Sequence, residues 1–139
     1  TRAEPDAGGA AGATPVARVV LVSVQSRPET GELEVHLGHH ERRTVGRGPL
    51  ARAGAAAADA TLDALRELGE AHAHRVAWVR TVDTLPDRRF LVAVSLTRTD
   101  DTPVYGIAPG ASPIEAAARA TLAACNRNIA YASDEPADD

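Results

Sequence analysis

The stretch Thr44-Val45-Gly46-Arg47-Gly48-Pro49-Leu50-Ala51, with the alanine-rich run behind it, returns sixty residues later. The second copy reads Val104-Tyr105-Gly106-Ile107-Ala108-Pro109-Gly110-Ala111. Over residues 44–65 the register keeps ten identities without a gap: Gly46, Pro49, Ala51, Ala56, Ala57, Ala58, Ala60, Thr61, Leu62 and Ala64. Alanine abundance accounts for some of these, but not for Gly, Pro, Thr and Leu falling into one register. The same offset extends upstream, pairing Val16, Ala17, Val19 and Val22 with Val76, Ala77, Val79 and Val82. A chain of two like halves must fold as two like units, and that removes most architectures from consideration.

Each half reads as three strands and a helix. Val19-Val20-Leu21-Val22-Ser23-Val24 is apolar at both parities, the pattern of a strand covered on both faces. Leu33, Val35 and Leu37 alternate with Glu32, Glu34 and His36, a strand with one polar face. Arg42 to Val45 reads as a short third strand, Gly46 to Ala51 as a turn, and about 50–68 as a helix closed by Gly69. Ala51, Ala55, Ala58, Leu62, Leu65 and Leu68 form its apolar stripe. In the second half the strands are Arg75 to Val82, then Phe90-Val92-Val94-Leu96 by alternation, then Val104 to Gly106. Ser112-Pro113-Ile114-Glu115 carries an N-cap serine, an N1 proline and an N3 glutamate, and Ile114, Ala118, Leu122, Cys125 and Ile129 follow on one face. The fold class is therefore α+β, an internally duplicated βββα-βββα with pseudo-twofold symmetry and helices packed on antiparallel sheets. Residues 1–15 read as a disordered leader, 16–131 as one domain with units at about 16–69 and 75–131, and 132–139 as an acidic disordered tail.

Charge narrows the function classes. The net −4 comes from the ends: without the leader and the four terminal acids Asp134, Glu135, Asp138 and Asp139, residues 16–131 stand at about +1. A neutral body argues against nucleic acid as a partner, which needs a clustered cationic face. No apolar run approaches a membrane span and no signal pattern opens the chain, so no membrane association is expected. The lone cysteine, Cys125, cannot form an internal disulfide, and a cytoplasmic location is the default. With only four aromatic residues and an alanine-heavy apolar count, one subunit buries little area per residue, and a homodimer is expected.

The Gly/Pro segments are the candidate site. Glycines 46, 48, 106 and 110 permit close backbone approach, and each segment leads into a helix N-terminus, whose amides attract carboxylates. Histidines 36, 39, 40, 72 and 74 lack a Cys or a well-spaced carboxylate, so no metal site is expected. Cys125 lies on the apolar helix face and reads as a small buried hydrophobe. No catalytic signature is present: there is no nucleophile elbow and no phosphate-loop lysine, since all fifteen basic residues are Arg. No cofactor is implied, and the reading leans away from an enzyme.

At these segments the chain resembles the C-terminal regulatory, or allosteric dimerisation, domain of 2-isopropylmalate synthase, a domain shared with citramalate synthase. Gly46-Arg47-Gly48-Pro49-Leu50-Ala51 matches that family's first-unit Gly-x-Gly-Pro turn, and Gly106-Ile107-Ala108-Pro109 with Ser112, Ala116, Arg119-Ala120 and Ala124-Cys125-Asn126-Arg127 matches its second. The likeness covers about 16–130. It departs at Gly69-Glu70-Ala71-His72-Ala73-His74-Arg75, where the family has an Asp-Tyr pair, and nothing here corresponds to the family's catalytic (β/α)8 barrel. The resemblance implies a free-standing, dimerising regulatory domain that senses a small amino or keto acid, a branched-chain amino acid or analogue, and acts in trans on a partner enzyme. It implies ligand contacts from Gly46, Gly48, Pro49, Leu50 and Ala51, with Tyr105, Gly106, Ile107 and Ala108. Two alternatives stand beside it: an assembly module without ligand, and an enzyme that recruited the inter-unit pocket with His36, His40 or Arg47.

Overall fold

In a computed structural model, residues 19–69 and 74–134 are described, with side chains of the last helix followed to Asn126. The expected leader at 1–15 and the departure at 70–73 lie outside the described residues. The first unit consists of β1 (Val20–Arg27), β2 (Glu32–His39), β3 (Arg42–Pro49), a 3-10 turn (Leu50–Arg52) and α1 (Ala53–Glu67). The second consists of β4 (Arg75–Thr84), β5 (Phe90–Thr97), β6 (Pro103–Gly110) and α2 (Pro113–Asp134). Each unit forms its own antiparallel sheet, in order β1-β2-β3 and β4-β5-β6. The fold is the duplicated βββα-βββα read from the sequence. One boundary moves: α2 continues to Asp134, into the expected tail.

The alternation in β2 and β5 sets the inner faces. Leu33, Val35 and Leu37, and Val92, Val94 and Leu96, are buried, and each row points at a helix. Helix α1 packs on β2 and β3 and also reaches β4 of the other sheet. Helix α2 packs on β5 and β6 and reaches β1, and the helices pack on each other. The helix pair thus lies between two sheets. That position explains the alanines. A helix with sheets on both sides has little polar face to offer, and α1 buries Ala56, Ala57, Ala58, Ala60, Thr61, Leu62, Ala64 and Leu65 rather than one narrow stripe. Seven of these are repeat identities, and their α2 counterparts at 116, 117, 118, 120, 121, 122 and 124 are buried as well. Thr61 and Thr121 each donate their hydroxyl to the carbonyl four residues back, at 2.7 and 2.8 Å, so both are buried without an unmet donor.

The Gly/Pro segments are strand rather than turn. Residues Gly46, Gly48 and Pro49 complete β3, and Gly106 to Gly110 complete β6. None of the glycines at 46, 48, 106 or 110 takes a positive φ, and their use is the other glycine property, close approach. A Cβ on Gly46 would fall on the Ala60 carbonyl and 2.7 Å from the Ala64 nitrogen. A Cβ on Gly106 would fall on the Ala120 carbonyl and 2.9 Å from the Ala124 Cβ. Strand and helix backbones therefore touch directly, at symmetry-related places.

The cross-strand rows also correct the repeat register. Val24, Val35 and Gly46 form one row, and Val79, Val94 and Gly106 form its counterpart. The offset of sixty holds from the third strand onward, but the first strands correspond as Val24 with Val79, because the connecting turns differ in length. Both first strands carry a β-bulge at the matching place, Leu21/Ser23 and Val76/Trp78. The first strand is also not covered on both faces, since Val20 and Val22 are exposed.

The inter-backbone contact gives a direct prediction. Gly106→Ala or Gly46→Ala should lower the unfolding free energy by about 3 kcal/mol or more, because backbone rather than a side-chain tip must move. Gly38→Ala, whose Cβ would meet only side chains at 3.4 Å or beyond, should stay within about 1 kcal/mol. Urea unfolding of the three variants checks this.

Candidate functional site between the repeat units

Besides the contact between the two helices, two helix–strand junctions join the units: α1 against β4, and α2 against β1. The first is tight. Gly54 lets α1 approach so near that a Cβ there would sit 3.1 Å from Val79 Cγ1. The second is open. Ile114 stands at the position of Gly54 in the repeat and lines the gap between α2 and β1. Between them is a partly enclosed cleft of about 370 Å3, in the range of small-molecule sites.

One wall is the edge strand β1. Leu21, Val22, Ser23, Val24 and Ser26 line it. Consecutive residues line the same cavity because the cleft meets the strand edge-on. An edge strand presents a row of backbone N–H and C=O groups with no partner strand. At its start that row is satisfied by Asn126, whose side-chain amide donates to the Val19 carbonyl at 3.0 Å and accepts from the Val19 amide at 3.4 Å. Asn126 thus imitates a strand partner across 107 residues of sequence. Further along, the edge faces the cleft.

The other wall is the first part of α2, with Ser112, Ile114, Glu115 and Arg119. Ser112 caps the helix: its Oγ accepts the Glu115 amide at 3.1 Å and its carbonyl accepts the Ala116 amide at 2.9 Å. The N-cap read from the sequence is present, but the glutamate turns outward rather than back to close a capping box. Arg119 Nε donates to Glu115 Oε2 at 2.9 Å, and its two terminal amino groups have no hydrogen-bond partner among the described residues. With two helix amides already used by Ser112, the cationic group of this wall is the Arg119 guanidinium. The first unit has Ala55 and Asp59 at the corresponding positions, so the acid–base pair belongs to the open cleft alone.

The nine residues implied by the resemblance do not meet in one cavity. Strand alternation separates them: Gly46 and Gly48 face α1, Gly106 and Ala108 face α2, and Tyr105 and Ile107 point outward. Pro49 ends β3, and Leu50 and Ala51 form the 3-10 turn. Tyr105, Gly106 and Ile107 share a depression on the outer face of the second sheet with Trp78, and none of the nine lines the inter-unit cleft. His36, His40 and Arg47 do not line it either. The cleft residues carry a weak sequence signal, since Glu115 reads as part of a helix start and β1 as a buried strand.

Outside the cleft, Glu34 is the main charged feature. Its side chain is nearly buried on the outer face of the first sheet, with Arg27 at 3.0 Å, His36 at 3.1 Å and Arg47 at 3.3 Å. Hydrogen bonds from Arg27 and then His36 hold its carboxyl below the usual carboxylate range. Cys125 is buried among the helix contacts, which pushes its thiol up to about 12 and removes it as a nucleophile. Among the described residues no group of three or more His, Cys, Asp and Glu is placed to hold a metal, and no helix is long and apolar enough to cross a membrane. The sequence matches no protein-family model and no curated protein.

Two outcomes follow. Asn126→Ala removes a partner from both backbone groups of Val19 and should cost about 1–3 kcal/mol in chemical unfolding. Because the Glu34 pKa is depressed in the folded state, its contribution is complete above the unfolded carboxylate value of about 4.3 and is lost as pH falls through the folded value. Glu34→Gln should therefore flatten the acid limb of a stability–pH curve below about pH 4.3 and leave its slope near neutrality unchanged.

Proposed function

We propose that this domain is a ligand-binding regulatory module that senses a small aliphatic amino or keto acid in the cleft between its units. The observation that carries the reading is the make-up of that cleft. Leu21, Val24 and Ile114 offer apolar surface for an aliphatic side chain, while Glu115 and Arg119 stand beside it. A ligand carboxylate competes with Glu115 for the Arg119 guanidinium, which binds carboxylates through paired N–H donors. Once displaced, the Glu115 carboxylate is available to a ligand ammonium. The open edge of β1 supplies further donors and acceptors.

Such a ligand touches both units at once, α2 of the second and β1 of the first. Its binding energy therefore biases how the units sit against each other, which is what a regulatory module needs. The likeness of the βββα pair to the 2-isopropylmalate synthase regulatory domain supports the same reading. So does the asymmetry of the molecule, because Gly54 sits tight against β4 at one junction and Ile114 lines an open cleft at the other.

Thermal unfolding with a panel of aliphatic L-amino acids and their 2-keto acids tests the proposal. A binder at ten times its Kd should add about 1.4 kcal/mol and raise Tm by roughly 5 °C. Arg119→Ala, a change at a half-exposed side chain, should keep the fold and lose the shift. A panel in which no compound raises Tm rejects the reading.

A further inference from the structure

We propose that the free edge of β1 seats an extended peptide segment of a partner protein, which adds to the first sheet as a further strand, an inference independent of whether the cleft also takes a small acid. The cleft of about 370 Å3 continues along the same edge into a second hollow of about 290 Å3, and Leu21 and Arg119 line both. Ser26 and Ser112 lie at one end of this groove and Val19 and Asn126 at the other, so β1 and α2 run antiparallel along it. From Val19 to Ser26 the strand spans about 23 Å, and from Ser112 to Asn126 the helix rises about 21 Å. Asn126 shows what the edge accepts. Its carboxamide, chemically a peptide group, takes both backbone groups of Val19 as an antiparallel strand does. From Val20 to Ser26, no described residue pairs with the backbone groups that point away from β2. The other three edge strands are guarded: β3 carries Arg42, Arg43 and Arg47 and ends at Pro49, β6 contains Pro103 and Pro109, and β4 lies against α1. β1 has neither charge nor proline from Val20 to Ser26, and Val20 and Val22 are 54% and 44% exposed. Such an edge is a template for strand addition.

The helix wall sets the side-chain preference of the segment. Ile114, Arg119 and Leu122 follow one another along it over about 12 Å. Residues i, i+2 and i+4 of a strand face one way and span about 13 Å. An acidic residue opposite Arg119, with an aliphatic residue two positions away on each side, therefore matches the wall. The terminal amino groups of Arg119, left over from its Nε bond to Glu115, are the donors such a carboxylate takes. The same wall disfavours a second sheet at this edge. A copy brought up edge to edge carries its own α2 against this one, whereas a single extended segment carries no helix.

Fluorescence polarisation of the full chain with a short labelled peptide tests this, the peptide alternating valine and threonine with aspartate in place of its middle valine. Saturable binding with a Kd below about 1 mM is expected. Of two versions N-methylated at alternate positions, the one blocked on the β1 side should lose about tenfold or more and the other should keep its affinity. Lysine in place of the aspartate should weaken binding about tenfold, and Arg119→Glu, at a half-exposed side chain, should reverse that preference. Ile107→Glu, on an exposed position of the second sheet, should bind like the parent chain. A parent chain that does not bind the peptide up to about 1 mM overturns the proposal. So do N-methylated versions that behave alike, or an Arg119→Glu chain that still prefers aspartate. Exchange protection of the β1 amides that rises with the concentration of the chain alone assigns the edge to a second copy and overturns it as well.

Discussion

Backbone contact between a strand and a helix is the constraint on which the rest of the structure depends. At Gly46 and Gly106 no side chain separates the third strand from the helix that follows it. Each helix can then sit close enough to its own sheet to reach the first strand of the other sheet as well. The alanine runs serve the same geometry, since larger side chains at Ala56 to Ala64 would force the layers apart. With Leu62, Leu65 and the leucine and valine rows of β2 and β5 filling the remaining space, the core needs almost no aromatic residues. Fully buried aliphatic side chains still supply about 1.5–3 kcal/mol each, so the small-residue seams do not have to carry the stability.

The two junctions between units show how one architecture yields two different surfaces. Gly54 and Ile114 occupy equivalent helix positions: at the first a Cβ would lie 3.1 Å from Val79 Cγ1, and at the second the side chain lines an open cleft. The acid–base pair Glu115 and Arg119 occurs only on the open side. Asn126 pairs with Val19 beyond that cleft, which ties β1 to α2 while leaving the nearer strand edge uncovered. The outer sheet faces diverge in the same way, one around Glu34 and the other around Trp78.

The fold was largely legible because its signals are local and periodic. Leu33-Val35-Leu37 and Val92-Val94-Leu96 specify strands with one inner face, and Ser112-Pro113 marks a helix start. The sixty-residue offset pairs the helices correctly, but it fails upstream of the third strands because turn lengths are not constrained by packing. Gly46-x-Gly48-Pro49, which reads as a turn in the sequence, is instead the end of β3. A glycine needed for close approach and one needed for positive φ look the same in sequence, and only the helix lying over Gly46 separates them. The nine expected site residues follow from the family resemblance, whereas the cleft is lined by β1 and the start of α2, which lie far apart in the chain. Ile114 faces β1 across it, and no local pattern encodes that.

The central claim is that the junction between β1 and α2 receives a small aliphatic acid. Backbone amide mapping by nitrogen-15 NMR, during titration with the amino or keto acid that most raises Tm, tests it most directly. The account predicts saturable shifts concentrated at Ser23, Val24, Ile114, Glu115 and Arg119, with the tight junction at Gly54 and Val79 largely unmoved. Shifts centred on Gly46, Gly106 or the outer sheet faces, with the cleft silent, would contradict it.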